Sequence, residues 1–303
     1  MLSESSLAAP AAGAQMRRAV LAVAGAAILW STGGLFIKLA PMPALAVAGG
    51  RSLVAALFYL AVLRPNLRAA RWSTAVAYAG CIVTFVSATK LTTAANAIFL
   101  QSTAPLYVLA LAPLVLREPI RRRDVAFLVA FAVALLTIFF GEAAPSTTAP
   151  NPALGNWLAT ASGFAWACTV IGFRLTARDP ATFGPALLAG NVIAALVSLP
   201  LALPITDARA TDWAIVAYLG VFQIGLAYAL LSIGMREVPA LEASLLMLLE
   251  PVLNPVWTWL VHGERPGMAT LVGGAIVLGA TAVKTIVDRP AYDGARDAVA
   301  KPA

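Results

Sequence analysis

Ten apolar stretches, each close to twenty residues long, follow one another between residues 18 and 287. An α-helix rises 1.5 Å per residue, so about twenty residues cross the ~30 Å hydrocarbon core of a bilayer. The runs predict helices over 18–40, 43–63, 72–91, 94–116, 124–141, 155–176, 183–204, 213–234, 240–261 and 268–287. The expected fold is therefore an all-α polytopic membrane protein with ten transmembrane helices. Only 12% of the residues are charged and 60% are hydrophobic, against about 25% charged in soluble domains. Arg17 and Arg18 ahead of "AVLAVAGAAILW" resemble the start of a signal peptide. The apolar run continues to Ala40, however, well beyond a signal core of about 7–15 residues, so it reads as a retained first helix. Residues 1–16 are expected as a disordered cytoplasmic tail and 289–303 as a second cytoplasmic tail.

The short gaps between the runs carry the charge. Of the 21 Lys and Arg, Arg17, Arg18, Arg64, Arg68, Arg71, Arg117, Arg121, Arg122, Arg123, Arg174, Arg178, Arg236, Lys284, Arg289, Arg296 and Lys301 fall on the side of the two termini. Lys38, Lys90, Arg209 and Arg265 fall on the other side, and Arg51 lies inside a span. This 16-to-4 division puts both termini in the cytoplasm by the positive-inside rule. The net charge of +7 is thus loop charge, not a stripe for nucleic acid. Cys81 and Cys168 are isolated within apolar runs and read as small buried hydrophobes, neither metal ligands nor a disulfide. No metal and no cofactor is expected.

The chain repeats itself. When 97–135 is laid over 243–281, Ala97, Leu100, Pro105, Leu114, Val115, Glu118 and Ala134 fall on Ala243, Leu246, Pro251, Leu260, Val261, Glu264 and Ala280. Upstream, Trp30, Lys38 and Leu39 fall on Trp166, Arg174 and Leu175, and Ala77, Tyr78 and Gly80 on Ala217, Tyr218 and Gly220. The order is collinear. Each half, 17–141 and 155–288, holds five predicted helices, joined by an extracytoplasmic linker at 142–154 that lacks Lys and Arg. Five is odd, so the second copy inserts upside down. Inverted repeats are a mark of secondary transporters, whose substrate site lies between the halves near the middle of the membrane.

Two five-helix halves, each with a tryptophan in its first helix, and the segments "APLYVLALAPLVLREP" and "EPVLNPVWTWLVHGERP" resemble the EamA family of the drug/metabolite transporter superfamily. The resemblance covers roughly 18–287. It implies a ten-helix fold and export of small metabolites from the bacterial cytoplasm across the inner membrane. Its nearest branch is the aromatic and neutral amino-acid exporters of the YddG type, with flat cationic drugs as the alternative cargo.

The stretch "LLEPVLNP" puts a carboxylate, a carboxamide and two prolines inside a span. Ala243, Met247, Glu250, Asn254 and Trp257 share one helical stripe. Pro251 and Pro255 each free a carbonyl that needs a donor in the bilayer. This stripe is expected to line a wet cavity. Glu250 reads either as a proton- or substrate-binding group or as a hydrogen-bond partner of a neighbouring helix. In the first half Gln101 falls on Met247. Gln101 and Ser102 are substrate candidates, with helix–helix hydrogen bonding the competing role. Trp30 and Trp166 suit a stacking wall or plain packing, and Tyr228, Gln223 and Asn191 are further polar candidates. Tyr78 and Tyr218 read as packing or interfacial rings. Arg51 needs a carboxylate, carbonyls or water, as an anchor or as a contact for a substrate carboxylate. Glu118 and Glu264 end their helices and read as caps or gates. Pro105 and Pro251 are the expected hinges of alternating access.

The chain has one histidine, His262, and neither H-E-x-x-H, G-x-S-x-G nor a Walker A motif. An enzyme and an ATP-driven pump are therefore disfavoured; a channel has no visible filter sequence. The expected partners are a small-molecule substrate and the lipid bilayer, for a monomer or a homodimer.

Overall fold

In the computed structural model, residues 5–117, 119–141, 144–175 and 183–300 are described. Ten helices are long and apolar enough to span a bilayer: α1 Gln15–Leu39, α2 Ala44–Leu63, α3 Trp72–Leu91, α4 Ala94–Val115, α5 Arg122–Phe140, α6 Pro152–Leu175, α7 Phe183–Ala202, α8 Ala210–Gly234, α9 Leu241–His262 and α10 Met268–Asp288. Their ends lie within about three residues of the predicted ones, because the hydropathy edge and the helix end coincide. The expected tails are helical from Ser5 and as far as Ala300. Among the described residues there is no strand beyond one isolated bridge, Ser146 to Ala149.

Packing between the halves obeys an exchange rule. α3 lies along α6, and α8 along α1; α4 packs on α6, and α9 on α1; α3 meets α7, and α8 meets α2. α2 with α7 and α5 with α10 are each their own exchange partner. Swapping helices one to five with six to ten maps this list onto itself. With five helices per half, the relating axis must lie in the membrane plane, the arrangement of an inverted repeat.

Close helix approach depends on small residues, as expected where lipid removes the hydrophobic drive between helices. A Cβ on Gly220 of α8 would lie 2.5 Å from Val54 Cβ and 2.7 Å from the Arg51 carbonyl on α2. A Cβ on Gly190 of α7 would lie 2.6 Å from Tyr78 Cδ1 and 2.8 Å from the Ala75 carbonyl on α3. These are the exchanged crossings, α8–α2 and α7–α3. The outer surface carries Leu21, Leu114, Leu196, Leu201 and Leu260, all well exposed. They form the belt that lipid covers.

Both repeat-equivalent spans α4 and α9 are broken. In α4 the helix stops at Gln101 and restarts at Ala104. In α9 it stops at Met247 and restarts at Leu249. Pro105 and Pro251 stand within the first three residues of the second segments. There a missing N–H costs nothing and a fixed φ starts the new helix. The chain therefore turns just before each proline, over Ser102–Thr103 and at Leu248, rather than bending within a helix at the proline.

Candidate functional site: a central cavity closed at one face

The breaks in α4 and α9 flank a cavity of about 510 Å³, within the usual range of small-molecule sites. Trp30 on α1, Tyr78 and Cys81 on α3, Gln101, Ser102 and Pro105 on α4 and Trp166 on α6 line it. So do Arg51 on α2, Gln223 and Tyr228 on α8, and Met247, Glu250 and Pro251 on α9. Of the substrate-site candidates, Trp30, Gln101, Ser102, Trp166, Tyr228 and Glu250 are thus brought together around one space. Asn254 is not. It is buried with both amide atoms unpartnered, and a Cβ on Gly34 would lie 2.2 Å from its Oδ1. Its side chain faces α1 one turn beyond Glu250, where the close approach of Gly34 closes the cavity off. Trp257 also leaves the cavity wall and donates its Nε1–H to Ser31 Oγ at 2.9 Å. Asn191 donates to the Leu187 carbonyl one turn back at 2.9 Å and lies outside the wall. Tyr78, read as packing, lines the cavity.

Aromatic rings form one wall. Trp30 and Tyr228 meet edge to face with centroids 4.7 Å apart, and Tyr78 meets Tyr228 at 5.8 Å. Gln101 Nε2 donates to Ser162 Oγ at 2.8 Å and to Cys81 Sγ at 3.3 Å, and Ser162 Oγ donates to the Cys81 carbonyl at 3.1 Å. This network ties the end of the first α4 segment to α3 and α6. Gly163 on α6 admits it, since a Cβ there would lie 3.0 Å from the Leu100 carbonyl.

Two charges stand in the wall. Arg51 is 3% exposed; its Nη1 donates to Gln223 Oε1 at 3.1 Å, and its Nε has no partner. Among the described residues no carboxylate pairs with it, and none of their hydrogen bonds or ion pairs engages Glu250. A lone charge at mid-bilayer costs about 2.5–3.5 kcal/mol on insertion scales. Whatever fills that space must therefore supply their solvation.

The cavity reaches toward the face of the termini. Met235 at the end of α8, Ser244 in the first turn of α9 and Thr281 in the last third of α10 line it. The opposite face is plugged. Lys38 of α1 and Glu264 after α9 form an ion pair at 2.9 Å, each side chain 4% exposed. Glu264 Oε1 also accepts the Ala94 N–H at 2.5 Å, at the positive end of the first α4 segment. Lys38 further donates to the carbonyls of Thr92 and, in the linker, Thr148. Lys90 donates to the Ala40 carbonyl. Beside them Thr92 and Asn96 both donate to Asn156 Oδ1, at 2.8 and 3.1 Å, and Thr270 donates to Asn96 Oδ1 at 2.5 Å. Glu264 is thus both a helix cap and part of a closed face. Glu118, its repeat mate, and Arg178 lie outside the described residues.

A ten-helix bundle of two exchangeable halves, with a largely apolar cavity that holds a few polar and charged groups at the breaks of paired helices, is the architecture of a membrane carrier. The family model described as the EamA-like transporter family matches residues 17–140 and 153–285, and the chain belongs to that family, whose members are transporters of the drug and metabolite type. A solved crystal structure of a protein superposes with a TM-score of 0.57 at 24% identity, covering 90% of this chain and 98% of that one, which bears on the fold alone. No curated protein sequence matches the chain.

Proposed function

We propose that this protein exports amino-acid-like metabolites, aromatic and neutral ones foremost, from the bacterial cytoplasm by alternating access. The observation that carries this reading is the wall of the cavity. It joins five aromatic side chains, Trp30, Tyr78, Phe85, Trp166 and Tyr228, to one unpaired cation and one unpaired anion. The rings suit a flat apolar side chain, and the two charges suit a backbone that carries both signs. The 16-to-4 division of basic residues assigns the face of the termini to the cytoplasm. On that assignment the cavity stands open to the cytoplasm, ready to load, while the Lys38–Glu264 plug seals the exit. Flat organic cations are the competing cargo: Glu250 and the rings would attract them, and Arg51 would repel them. Purified protein in liposomes, loaded with unlabelled compound and assayed for counterflow, separates these cargoes. The expected result is saturable counterflow of labelled phenylalanine. Counterflow of a flat cation without phenylalanine would reverse the assignment, and flux that does not saturate would make the protein a channel.

A further inference from the structure

We propose that Arg51 and Glu250 form the two poles of a zwitterion clamp, Arg51 holding the carboxylate of the substrate and Glu250 its ammonium group. The proposal rests on the reading of the cavity as the transport site and adds which residue recognises which end.

Three observations converge on it. First, the two side chains line the same cavity from different helices, α2 and α9, and no ion pair joins them. Opposite charges in a low-dielectric space attract strongly, so two that stay unpaired hold room for something between them. Second, the guanidinium is only half used. Gln223 takes Nη1, and the Nε–Nη2 edge has no protein partner among the described residues. That edge carries two parallel N–H donors, the fork that matches a carboxylate; Nε is buried in this conformation, so a turn of the side chain is needed to bring the whole fork to the cavity.

Third, neither charge recurs in the other half. Gly50 and Gly190 are 140 residues apart, as are Tyr78 and Tyr218. They occupy the exchanged crossings: a Cβ on Gly50 would lie 2.9 Å from Val216 on α8, and one on Gly190 would meet Tyr78 on α3. The next residue in each copy is Arg51 in one and Asn191 in the other. Likewise Glu250, just before Pro251, answers to Ala104, just before Pro105. The same helix crossing and the same helix break are thus built once with a charge and once without. A charge present in only one copy of a symmetric frame serves the asymmetric thing that the frame encloses. An amino acid is such a thing, with one anionic and one cationic end.

The test uses three probes with the same ring: phenylalanine, phenethylamine without the carboxylate, and 3-phenylpropionate without the ammonium. Each competes with labelled phenylalanine for the full-length protein in detergent. For the parent, phenylalanine should bind at least about tenfold more tightly than either truncated probe, because each leaves one buried pole unpaired. In Arg51→Gln the advantage over phenethylamine should collapse to about threefold or less, while the advantage over phenylpropionate persists. In Glu250→Gln the pattern should reverse. Arg51→Lys retains charge without the fork and covers the case in which Arg51→Gln does not fold. It should weaken phenylalanine and leave phenethylamine unchanged. Equal discrimination in the parent and in the folded variants would overturn the clamp while leaving amino-acid transport standing. A parent that binds phenethylamine alone, or none of the three, would overturn both the clamp and the amino-acid reading.

Discussion

Gly220 has no room for a side chain. A Cβ there would fall 2.5 Å from Val54 Cβ and 2.7 Å from a backbone oxygen of α2, and backbone cannot swing away as a side-chain tip can. Gly220→Ala should therefore cost about 1–3 kcal/mol through overpacking. Gly279 is the control: it sits within α10, and a Cβ would meet nothing within 4 Å. Gly279→Ala should be neutral or stabilise by about 0.4–1 kcal/mol, because alanine loses less entropy in a helix. Thermal unfolding of both variants in the same detergent decides the matter, and equal shifts in the midpoint would contradict the packing argument. At this scale the sequence is a partial guide. Pairing the copies by eye finds Tyr78 and Gly220 but not what either touches. Asn254 shows the limit most clearly. The 3.6-residue period places it one turn below Glu250 in the same unbroken segment, but the period does not say where the cavity ends, and at that level the stripe meets Gly34 of α1 instead of open space.

The paired breaks were legible because proline forbids a continuous ladder of hydrogen bonds. Their position was not. The turn precedes each proline, where the backbone switches to three-residue bonds: Thr103 N–H to the Leu100 carbonyl, Leu106 N–H to Thr103, and Leu248 N–H to Leu245. Such tight turns commonly mark hinges. Pro105→Ala and Pro251→Ala remove the obstacle to one long helix and should favour its propagation through the turn. Because each proline stands near the start of its segment, stability should change little, by about 1 kcal/mol or less. Exchange in liposomes should slow severalfold while equilibrium binding of phenylalanine stays within about twofold, if the break serves movement between states. Two alanine variants that exchange at the parental rate would remove the hinge role. Loss of binding in a folded variant would make the prolines part of the static wall.

Across the whole molecule, the ten spans and the inverted order could be read from hydropathy and an odd helix count. The closure of one face could not. It depends on Lys38 meeting Glu264 across 226 residues and two halves, a pairing that no local pattern encodes. Carriers of this symmetry work by opening one face as the other shuts, and on the proposed alternating-access cycle the plug breaks once per turnover. A buried pair that loses one partner leaves an uncompensated charge, at a cost of about 3–5 kcal/mol. Lys38→Ala should therefore destabilise the closed face relative to the open one. A population shift of even about 1.4 kcal/mol raises the open fraction tenfold. Ala95, in the first turn of α4 and 1% exposed, reports on that opening when changed to cysteine in a background lacking Cys81 and Cys168. Labelling by an impermeant maleimide applied from the plugged face should be slow in the parent and at least about tenfold faster with Lys38→Ala. The charge-reversed double variant, Lys38→Glu with Glu264→Lys, restores the attraction but turns a lysine toward the Ala94 N–H. It should recover part of the protection, not all. Identical labelling with and without Lys38→Ala would mean that the face is held by the Asn96, Asn156 and Thr270 network alone and that the ion pair is not the latch.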